Sequence, residues 1–321
     1  MAALAYQSGS IALQLCNLQV DDIIGDLVIK LNKITVYLIS AVLLAGSYTL
    51  PVQAADEPFS MVIFPRRNVK ITYRLFKPMA SYLSRELGRD VRLVTPRDFK
   101  SFWRILTQGD FDLVHLNQYH FVIAHDKYGH EAILKNVEFG SATMRGIIAV
   151  RKDSRIESLQ DLKGKKILFG GGRRAMISYQ VPTWLLRNAG LREGDYEEVF
   201  AKNPPNAYIS VYNKRADAAG VGNVAQRLNI VKNTVDISKM KVLAEGPELP
   251  QLVWAVKNTM QPGLSKKIQT ILSNLSSHAE GQAILDKAQL TDIALASKEE
   301  YEPYRQIIQH VQPNDLNGHK N

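Results

Sequence analysis

The chain has 321 residues, 45% hydrophobic and 22% charged, which is typical of a globular protein and excludes a disordered or fibrous one. This length is sufficient for one large core or two medium ones, and we expect two lobes. The formal net charge of +9 favours anionic partners. No nucleic-acid motif or basic run interleaved with aromatic residues accompanies that charge, so binding of DNA or RNA is not indicated.

The first informative segment in chain order has the pattern of a secretory signal. Lys30 and Lys33 precede the apolar run Ile34–Ala45, and Val52-Gln53-Ala54 offers a boundary of small residues for cleavage. Because the apolar run is too short to span a bilayer comfortably, we predict cleavage after Ala54 and export to the periplasm. An uncleaved membrane anchor is the alternative interpretation.

The residues before Lys30 are unusual for a signal because they carry Asp21, Asp22 and Asp26. A translation start near Leu27 or Val28 would remove these residues.

Cysteine usage agrees with export. The single cysteine, Cys16, precedes the predicted cleavage point, so the mature chain can form no disulfide. Leu15, which is not a small residue, precedes it, and this argues against acylation as a lipoprotein at that position.

From Phe59 onward the pattern alternates between strands and helices, which predicts an α/β fold. The predicted strands are Met61–Phe64, Val91–Val94, Phe111–Leu116, Gly146–Val150, Ile167–Phe169, Glu197–Phe200, Ala216–Val221, Lys241–Ala244 and Leu252–Val256. The predicted helices are Pro78–Leu87, Asp98–Leu106, one after Tyr119, Ser158–Gly164, one ending at Ala189, Ala207–Arg215, Leu264–Leu275, Ala279–Ala288 and Lys298–His310. We expect Pro182 to kink the helix that contains it.

Two loops at the predicted carboxyl ends of strands carry polar residues. Asn117, Gln118 and Tyr119 follow the third strand, and ligands of open α/β sheets bind at such ends. A glycine loop, Gly170–Gly172, follows a later strand and begins a helix, so its backbone N–H groups are suited to an anion. Arg173 and Arg174, which come next, add bidentate donors for an oxyanion.

The alternation predicts two lobes joined by two crossings of the chain. We assign residues 1–54 to the signal region, 55–149 plus 246–311 to the first lobe, 150–245 to the second lobe and 312–321 to a loose polar tail. A ligand cleft between lobes that close on a hinge follows from this division.

Five stretches in this order resemble the phosphate/phosphite/phosphonate-binding family of ABC-transporter solute receptors: Phe64–Asn68, Phe76–Gly88, Asp112–Leu116, Ser158–Lys165 and Arg215–Ala218. The similarity extends from Phe59 to Val311. It implies a type II periplasmic binding fold, a two-lobe cleft that closes on its solute, and delivery of that solute by a monomeric receptor to an ABC permease in the inner membrane.

The chain departs from this family where phosphonate receptors carry a Ser-Thr-Ser run, because Ala175, Met176 and Ile177 occupy those positions. Many relatives also have a histidine where this chain has Pro204-Pro205-Asn206. Three alternatives remain open: an oxyanion site of different geometry built by Arg173, Arg174, Ser178 and Asn206, another small anion as the solute, or a solute without phosphorus.

The predicted ligand-binding residues follow strands of both lobes, and they are Arg66, Asn68, Asn117, Gln118, Tyr119, Arg173, Arg174, Ser178, Asn206 and Asp217. The alternative roles are structural: Tyr119 packs in the core, Asp217 caps or pairs locally, and one arginine of each pair faces solvent.

An enzyme is not predicted. The seven histidines form no zinc-ligand spacing, no Gly-x-Ser-x-Gly elbow is present, and the sequence indicates neither a cofactor nor a metal. His115 and His125 are interpreted as a strand residue and a helix-surface residue. The alternative function is a periplasmic receptor that signals to a sensor protein instead of serving transport.

Overall fold

The computed structural model describes residues 58–316, in which two mixed sheets carry helices on their faces. The signal region, its cleavage point and Cys16 lie outside the described residues.

Thirteen strands are present in the described part of the chain. They are β1 (Phe59–Ile63), β2 (Val91–Val94), β3 (Leu113–Leu116), β4 (His130–Val137), β5 (Thr143–Met144), β6 (Gly146–Arg151), β7 (Lys166–Phe169), β8 (Glu197–Phe200), β9 (Ala218–Gly222), β10 (Met240–Glu245), β11 (Leu249–Pro250), β12 (Val253–Lys257) and β13 (Asp292–Leu295).

The α-helices of the same residues are α1 (Val69–Leu87), α2 (Phe99–Gln108), α3 (Gln118–Tyr128), α4 (Val181–Asn188), α5 (Pro204–Tyr212), α6 (Asn229–Lys232), α7 (Pro262–Ser273), α8 (Ala279–Ala288), α9 (Glu302–Val311) and α10 (Pro313–Leu316). A π-helical turn, Met176–Gln180, leads directly into α4, and 3₁₀ turns are formed by Gln160–Leu162, Asn223–Arg227, Ile237–Lys239, Leu275–Ser277 and Lys298–Tyr301.

The first sheet has the strand order β13-β4-β12-β3-β1-β2. Its strands β2, β1 and β3 are parallel, while β12 is antiparallel to β3 and to β4. The carboxyl ends of β1, β3 and β4 therefore lie at the same edge of this sheet. One face of the sheet is covered by α1, α7 and α8, whose apolar residues share a core cluster with Trp254 of β12.

The second sheet has the order β10-β6-β9-β7-β8, with β8, β7 and β9 parallel and β6 antiparallel to β9. The loops after β7 and β9 thus emerge from the same edge.

The chain passes between the sheets twice, along the two-stranded ribbon β5–β11. We predicted the first crossing near residue 150, but β6 pairs with β9 and β10 and so belongs to the second sheet. The crossing lies at the residues before Gly146. The return crossing follows Glu245, the last residue of β10.

Local capping explains where several helices begin and end. The side chain of Asn68 accepts a hydrogen bond from the Ile71 backbone N–H, so α1 begins nine residues before the predicted start at Pro78, which instead lies inside the helix. Gly88 ends α1 in the left-handed conformation, as predicted. Asp98 caps α2 in the same way as Asn68 caps α1, and Gly109 ends it.

The helix that contains Pro182 differs from the prediction. Pro182 lies in the first turn of α4, where a missing N–H is tolerated, and the preceding turn is π-helical rather than kinked α-helix.

Among residues 58–316, no helix combines the length and the apolar character needed to cross a membrane.

Candidate functional site

Asn117 connects the edges of the two sheets. It follows β3 and caps α3, with its side-chain oxygen accepting a 2.9 Å hydrogen bond from the His120 backbone N–H and lying 2.6 Å from His120 Nδ1. The amide Nδ2 of the same side chain donates to the backbone carbonyl of Arg174, 3.3 Å away in the glycine loop after β7. Because the capping bond fixes the side chain, its N–H₂ group is aimed at the other sheet.

The conformation and packing of the glycine loop require glycine at two positions. A Cβ on Gly170 would lie 2.5 Å from the Cα of Pro204, and Gly171 has a φ of +142°. The Ser178 hydroxyl donates to the Gly170 carbonyl at 2.9 Å, which ties the loop to the π-helical turn. The backbone of the loop therefore packs directly against Pro204, the first residue of α5.

Some of the loop's backbone N–H groups are already used within the second sheet and the loop. The N–H of Gly170 donates to Gly220, that of Gly171 to Phe169, and that of Ala175 to Gly172. The anion cradle predicted from the glycines thus has fewer available donors than the sequence indicates.

The two adjacent arginines of the loop have different surroundings. Arg173 Nη2 lies 2.6 Å from Glu198 Oε1 and 2.9 Å from Glu193 Oε1, and the hydrogen bond to Glu193 is the main reason that the pKa of Arg173 is raised. Tyr179 donates to the second oxygen of Glu198 at 2.9 Å. The charge of Arg173 is consequently balanced within its own lobe.

Arg174 is exposed and makes no ion pair within residues 58–316. Its positive charge acts instead on α3, where it is a secondary cause, after burial, of the lowered pKa of His120. Arg174 is therefore the loop cation with charge available for an anionic ligand.

Tyr119 and the end of the described chain cover this edge. Tyr119 is 2% exposed, and its hydroxyl donates to Asp315 of α10. Burial, followed by that hydrogen bond, raises the pKa of Tyr119. The prediction of a loose tail is wrong for residues 312–316, because α10 packs here and Gln312 Oε1 accepts a 2.6 Å hydrogen bond from Gln180 Nε2.

Four other predicted residues have structural contacts. Asn68 caps α1, and Gln118 is 1% exposed and donates to the Pro250 carbonyl of β11 at 3.1 Å. Ser178 is buried and closes the glycine loop. Asn206 is exposed in the first turn of α5, and its backbone N–H donates to the capping side chain of Asn203.

Asp217 does not lie with the rest of the predicted set. It precedes β9, so it lies at the amino-terminal edge of the second sheet, opposite the glycine loop. Its side chain accepts a 2.8 Å hydrogen bond from the Lys166 backbone N–H, which corresponds to the local structural role considered as the alternative.

Arg66 lies after β1 and donates to Glu138 Oε1 at 3.2 Å, at the end of β4. The structure thus brings Arg66, Asn117, Tyr119 and Arg174 to the edges from which loops emerge. It adds Asp315, which sequence reasoning missed because no spacing in the sequence connects it with Tyr119, 196 residues away.

No group of three or more potential metal ligands is present among residues 58–316. His115 and His120 are buried, and burial lowers the pKa of each to about 3. Both imidazoles are therefore neutral at neutral pH, and neither is a cation for a ligand.

Comparison with known proteins gives consistent similarities. A family model described as "ABC transporter, phosphonate, periplasmic substrate-binding protein" matches residues 61–301. The chain is 19% identical over 284 residues to a probable ABC transporter phosphite binding protein of Prochlorococcus marinus (strain MIT 9301), a match that covers 84% of this chain and 95% of the relative.

Solved structures are similar over most of the chain. The protein PhnD1 of Prochlorococcus marinus (MIT 9301) in complex with methylphosphonate has a TM-score of 0.67 at 17% identity, covering 80% of this chain and 98% of that one. A Xanthomonas citri protein bound to ATP has a TM-score of 0.69 at 17% identity, covering 79% and 98% respectively. These neighbours have the type II periplasmic binding fold, and the predicted fold class is confirmed.

Proposed function

Because the chain belongs to the family of periplasmic substrate-binding proteins of phosphonate ABC transporters, we propose that it captures a small oxyanion between its two sheets and delivers it to an ABC permease. Members of this family bind and hand over a solute, and they are not enzymes. The proposal concerns the chemical class of that solute, the residues that hold it and the closing of the cleft.

The observation that carries the proposal is the contact between Asn117 and the Arg174 carbonyl. It brings the end of β3 and the glycine loop together, so a ligand placed beside it touches both sheets. The adjoining guanidinium of Arg174 is exposed, and no carboxylate of residues 58–316 forms an ion pair with it. An oxyanion is the partner that such a donor favours, through charge-assisted and often bidentate hydrogen bonds.

Charge on the whole chain supports the same class of ligand. The formal net charge of +9 raises the local concentration of anions and their rate of association. The named ligands of two similar structures, methylphosphonate and ATP, both carry phosphorus oxyanions. Because Ala175, Met176 and Ile177 replace the Ser-Thr-Ser hydroxyls, the proposal assigns the oxygens of the ligand to Arg174 and Asn117 in a different arrangement.

Several further features belong to this proposal. The mature protein begins at Ala55, acts in the periplasm and is a monomer. Arg66 and Tyr119 flank the ligand from the first sheet, and Arg174 holds it from the second.

The proposal is tested by a thermal-shift screen of residues 55–321 with phosphite, methylphosphonate, phosphate, ethanesulfonate, acetate and methylamine. A ligand that binds only the native state raises the melting temperature in proportion to the logarithm of its concentration above Kd. We expect at least one oxyanion to raise the melting temperature and methylamine to have no effect. A rise with methylamine alone would overturn the anion assignment.

A further inference from the structure

A cavity of about 60 Å³, lined by both apolar and polar side chains, lies at the carboxyl ends of β1, β3 and β4, and among the predicted ligand-binding residues only Arg66 lines it. Its lining also includes Arg67, His115, Asn136, Glu138, Leu228 and Gln289. Its volume is sufficient for roughly four water-sized groups. Neither the glycine loop nor Asn117 contributes to it.

His115 is an unsatisfied polar group in the wall of this cavity. The side chain is 3% exposed, and neither ring nitrogen has a hydrogen-bond partner of acceptable geometry among residues 58–316. Burial and then the charge of Arg66 lower the pKa of the ring, and a contact with the Asn136 side chain acts in the opposite direction without meeting hydrogen-bond geometry. The ring stacks on Trp254, with a 4.4 Å distance between centroids, so its orientation is fixed.

A buried polar group without a partner costs free energy, and most such groups in folded proteins are satisfied by protein, water or ligand. The neutral imidazole of His115 has one N–H to donate. A hydrogen-bond acceptor in the cavity would satisfy it.

The other polar side chains of the cavity have hydrogen-bond partners, and their charges are balanced with one exception. Arg66 donates to Glu138, and Asn136 donates to Glu138 at 3.2 Å while its oxygen accepts from Trp254 Nε1 at 2.9 Å. The charges of the Glu138 carboxylate and the Arg66 guanidinium thus balance each other.

Arg67 is the exception because it has no carboxylate within 4.0 Å in the part of the chain that the structure describes. Its Nη2 donates to Gln289 Oε1 at 2.6 Å, and Gln289 holds a left-handed conformation at the end of α8. Burial, followed by the charge of Arg66, lowers the pKa of Arg67 to about 10. The lining therefore has one cation in excess, in a partly desolvated position.

We propose that this cavity binds one small oxyanion, held by the guanidinium of Arg67 and by a ring N–H of His115. An anion supplies both the acceptor that His115 lacks and the charge that Arg67 lacks. The cavity volume limits the occupant to a few heavy atoms. A cation is disfavoured because two guanidinium groups face the cavity and the one carboxylate is already paired.

One wall connects the cavity to the second sheet. Leu228 ends the 3₁₀ turn Asn223–Arg227, and Arg227 Nη2 of that turn donates to the Phe139 carbonyl at 3.1 Å. The occupant is therefore contacted by residues that follow β4 and β9, and its binding depends on the relative position of the two sheets.

The test uses residues 55–321 with ¹⁵N-labelled histidine rings, titrated by NMR with inorganic phosphate, methylphosphonate and acetate. The ring signals of His115 are assigned by their absence from the His115→Phe variant. We expect at least one anion to shift them with saturation, and we expect Arg67→Gln to weaken that response at least tenfold. Arg67→Lys, which keeps the charge but loses the planar fork, should have an intermediate response.

A separate variant distinguishes this cavity from the glycine-loop site. In Arg174→Ala the response of His115 to the anion should persist, even if capture at the loop is lost. Unchanged His115 signals with all three anions at saturation overturn the proposal of a cavity site. A response that Arg174→Ala removes and Arg67→Gln does not would also overturn it, because the anion would then bind at the loop alone.

Discussion

The side-chain amide of Asn117 donates a 3.3 Å hydrogen bond to the backbone carbonyl of Arg174, so the edge of the first sheet is in contact with the glycine loop of the second. The same Asn117 side chain caps α3 with its oxygen. One residue therefore fixes a helix within its own lobe and contacts the other lobe, and this makes the relation between ligand binding and lobe position testable by single substitutions.

Arg174→Ala should weaken binding of the oxyanion identified by thermal shift, whereas Arg173→Ala should mainly reduce stability. Loss of a charge-assisted hydrogen bond costs about 2 kcal/mol, which is roughly a 30-fold increase in Kd. Arg173 differs because its charge is balanced by Glu193 and Glu198, which would be left without a cation. Isothermal titration measures the affinity of both variants, and urea unfolding measures their stability. A larger loss of affinity in Arg173→Ala than in Arg174→Ala would contradict these roles.

Helices and strands that are delimited by local sequence signals were predicted well. Strand β8 and helix α8 have the predicted bounds, and both are delimited by local signals. Strand β4 was missed because His130, Glu131, Lys135 and Asn136 interrupt its apolar residues. Pairing with β12 and β13 on its two sides is what makes that segment a strand, and a single sequence does not display this pairing.

The candidate site shows the same division. Asn117 and Arg174 were predicted because each follows a strand, which is a local signal. The partners of Tyr119 and Arg66, which are Asp315 and Glu138, lie 196 and 72 residues away in sequence, and no periodicity connects such pairs. Asp217 was predicted to lie near the glycine loop because it is next to a strand. It precedes β9, however, and only residues that follow β9 lie at the same edge as that loop.

Gly170→Ala should destabilise the protein, while Gly172→Ala serves as a matched control in the same loop. A Cβ on Gly170 would lie 2.5 Å from Pro204 Cα and 2.9 Å from its N, and backbone atoms cannot rotate away. We expect a loss of about 1–3 kcal/mol in the free energy of unfolding. Apart from Gly172 and its two chain neighbours, no heavy atom of residues 58–316 lies within 4 Å of a Cβ built on Gly172, so a change below about 0.5 kcal/mol is expected. Equal effects of the two substitutions in urea unfolding would show that the contact with Pro204 is not tight.

Stability should fall as the pH is lowered from 6.5 towards 3, in part because of His115 and His120. Burial is the main cause that lowers the pKa of each from 6.5 to about 3, so the unfolded state takes up a proton that the folded state refuses. The contribution of these two neutral histidines to the free energy of unfolding is fully present above pH 6.5. It is lost as the pH falls, by up to about 1.4 kcal/mol per pH unit for each residue.

The variant His115→Phe isolates this effect from the titration of carboxylates. Between pH 7 and pH 5 it should lose about 2 kcal/mol less stability than the parent, as measured by urea unfolding at both pH values. Replacement of the exposed His310 by glutamine controls for removal of an imidazole. Parallel pH profiles of the parent and His115→Phe would contradict a buried neutral His115.

Export should produce a mature chain that begins at Ala55. The signal pattern Lys30–Ala54 predicts this, and intact-mass analysis of the protein recovered from the periplasm measures it directly. A recovered chain that retains residues 30–54 would favour the membrane-anchor alternative.

Ligand binding should close the two lobes, and Asn117→Asp should oppose that closure. Aspartate preserves the cap of α3 because its oxygen still accepts from the His120 N–H, but it has no N–H to donate and places a carboxylate opposite the Arg174 carbonyl and beside the proposed anion. Asn68→Asp is the matched control, since Asn68 caps α1 and donates no hydrogen bond to the second sheet within residues 58–316. Small-angle X-ray scattering with the oxyanion at saturation should show a decrease in the radius of gyration for the parent and for Asn68→Asp, and little or no decrease for Asn117→Asp. If the parent itself shows no decrease, the two sheets do not move on a hinge, and the contact between Asn117 and Arg174 is a fixed feature of the fold.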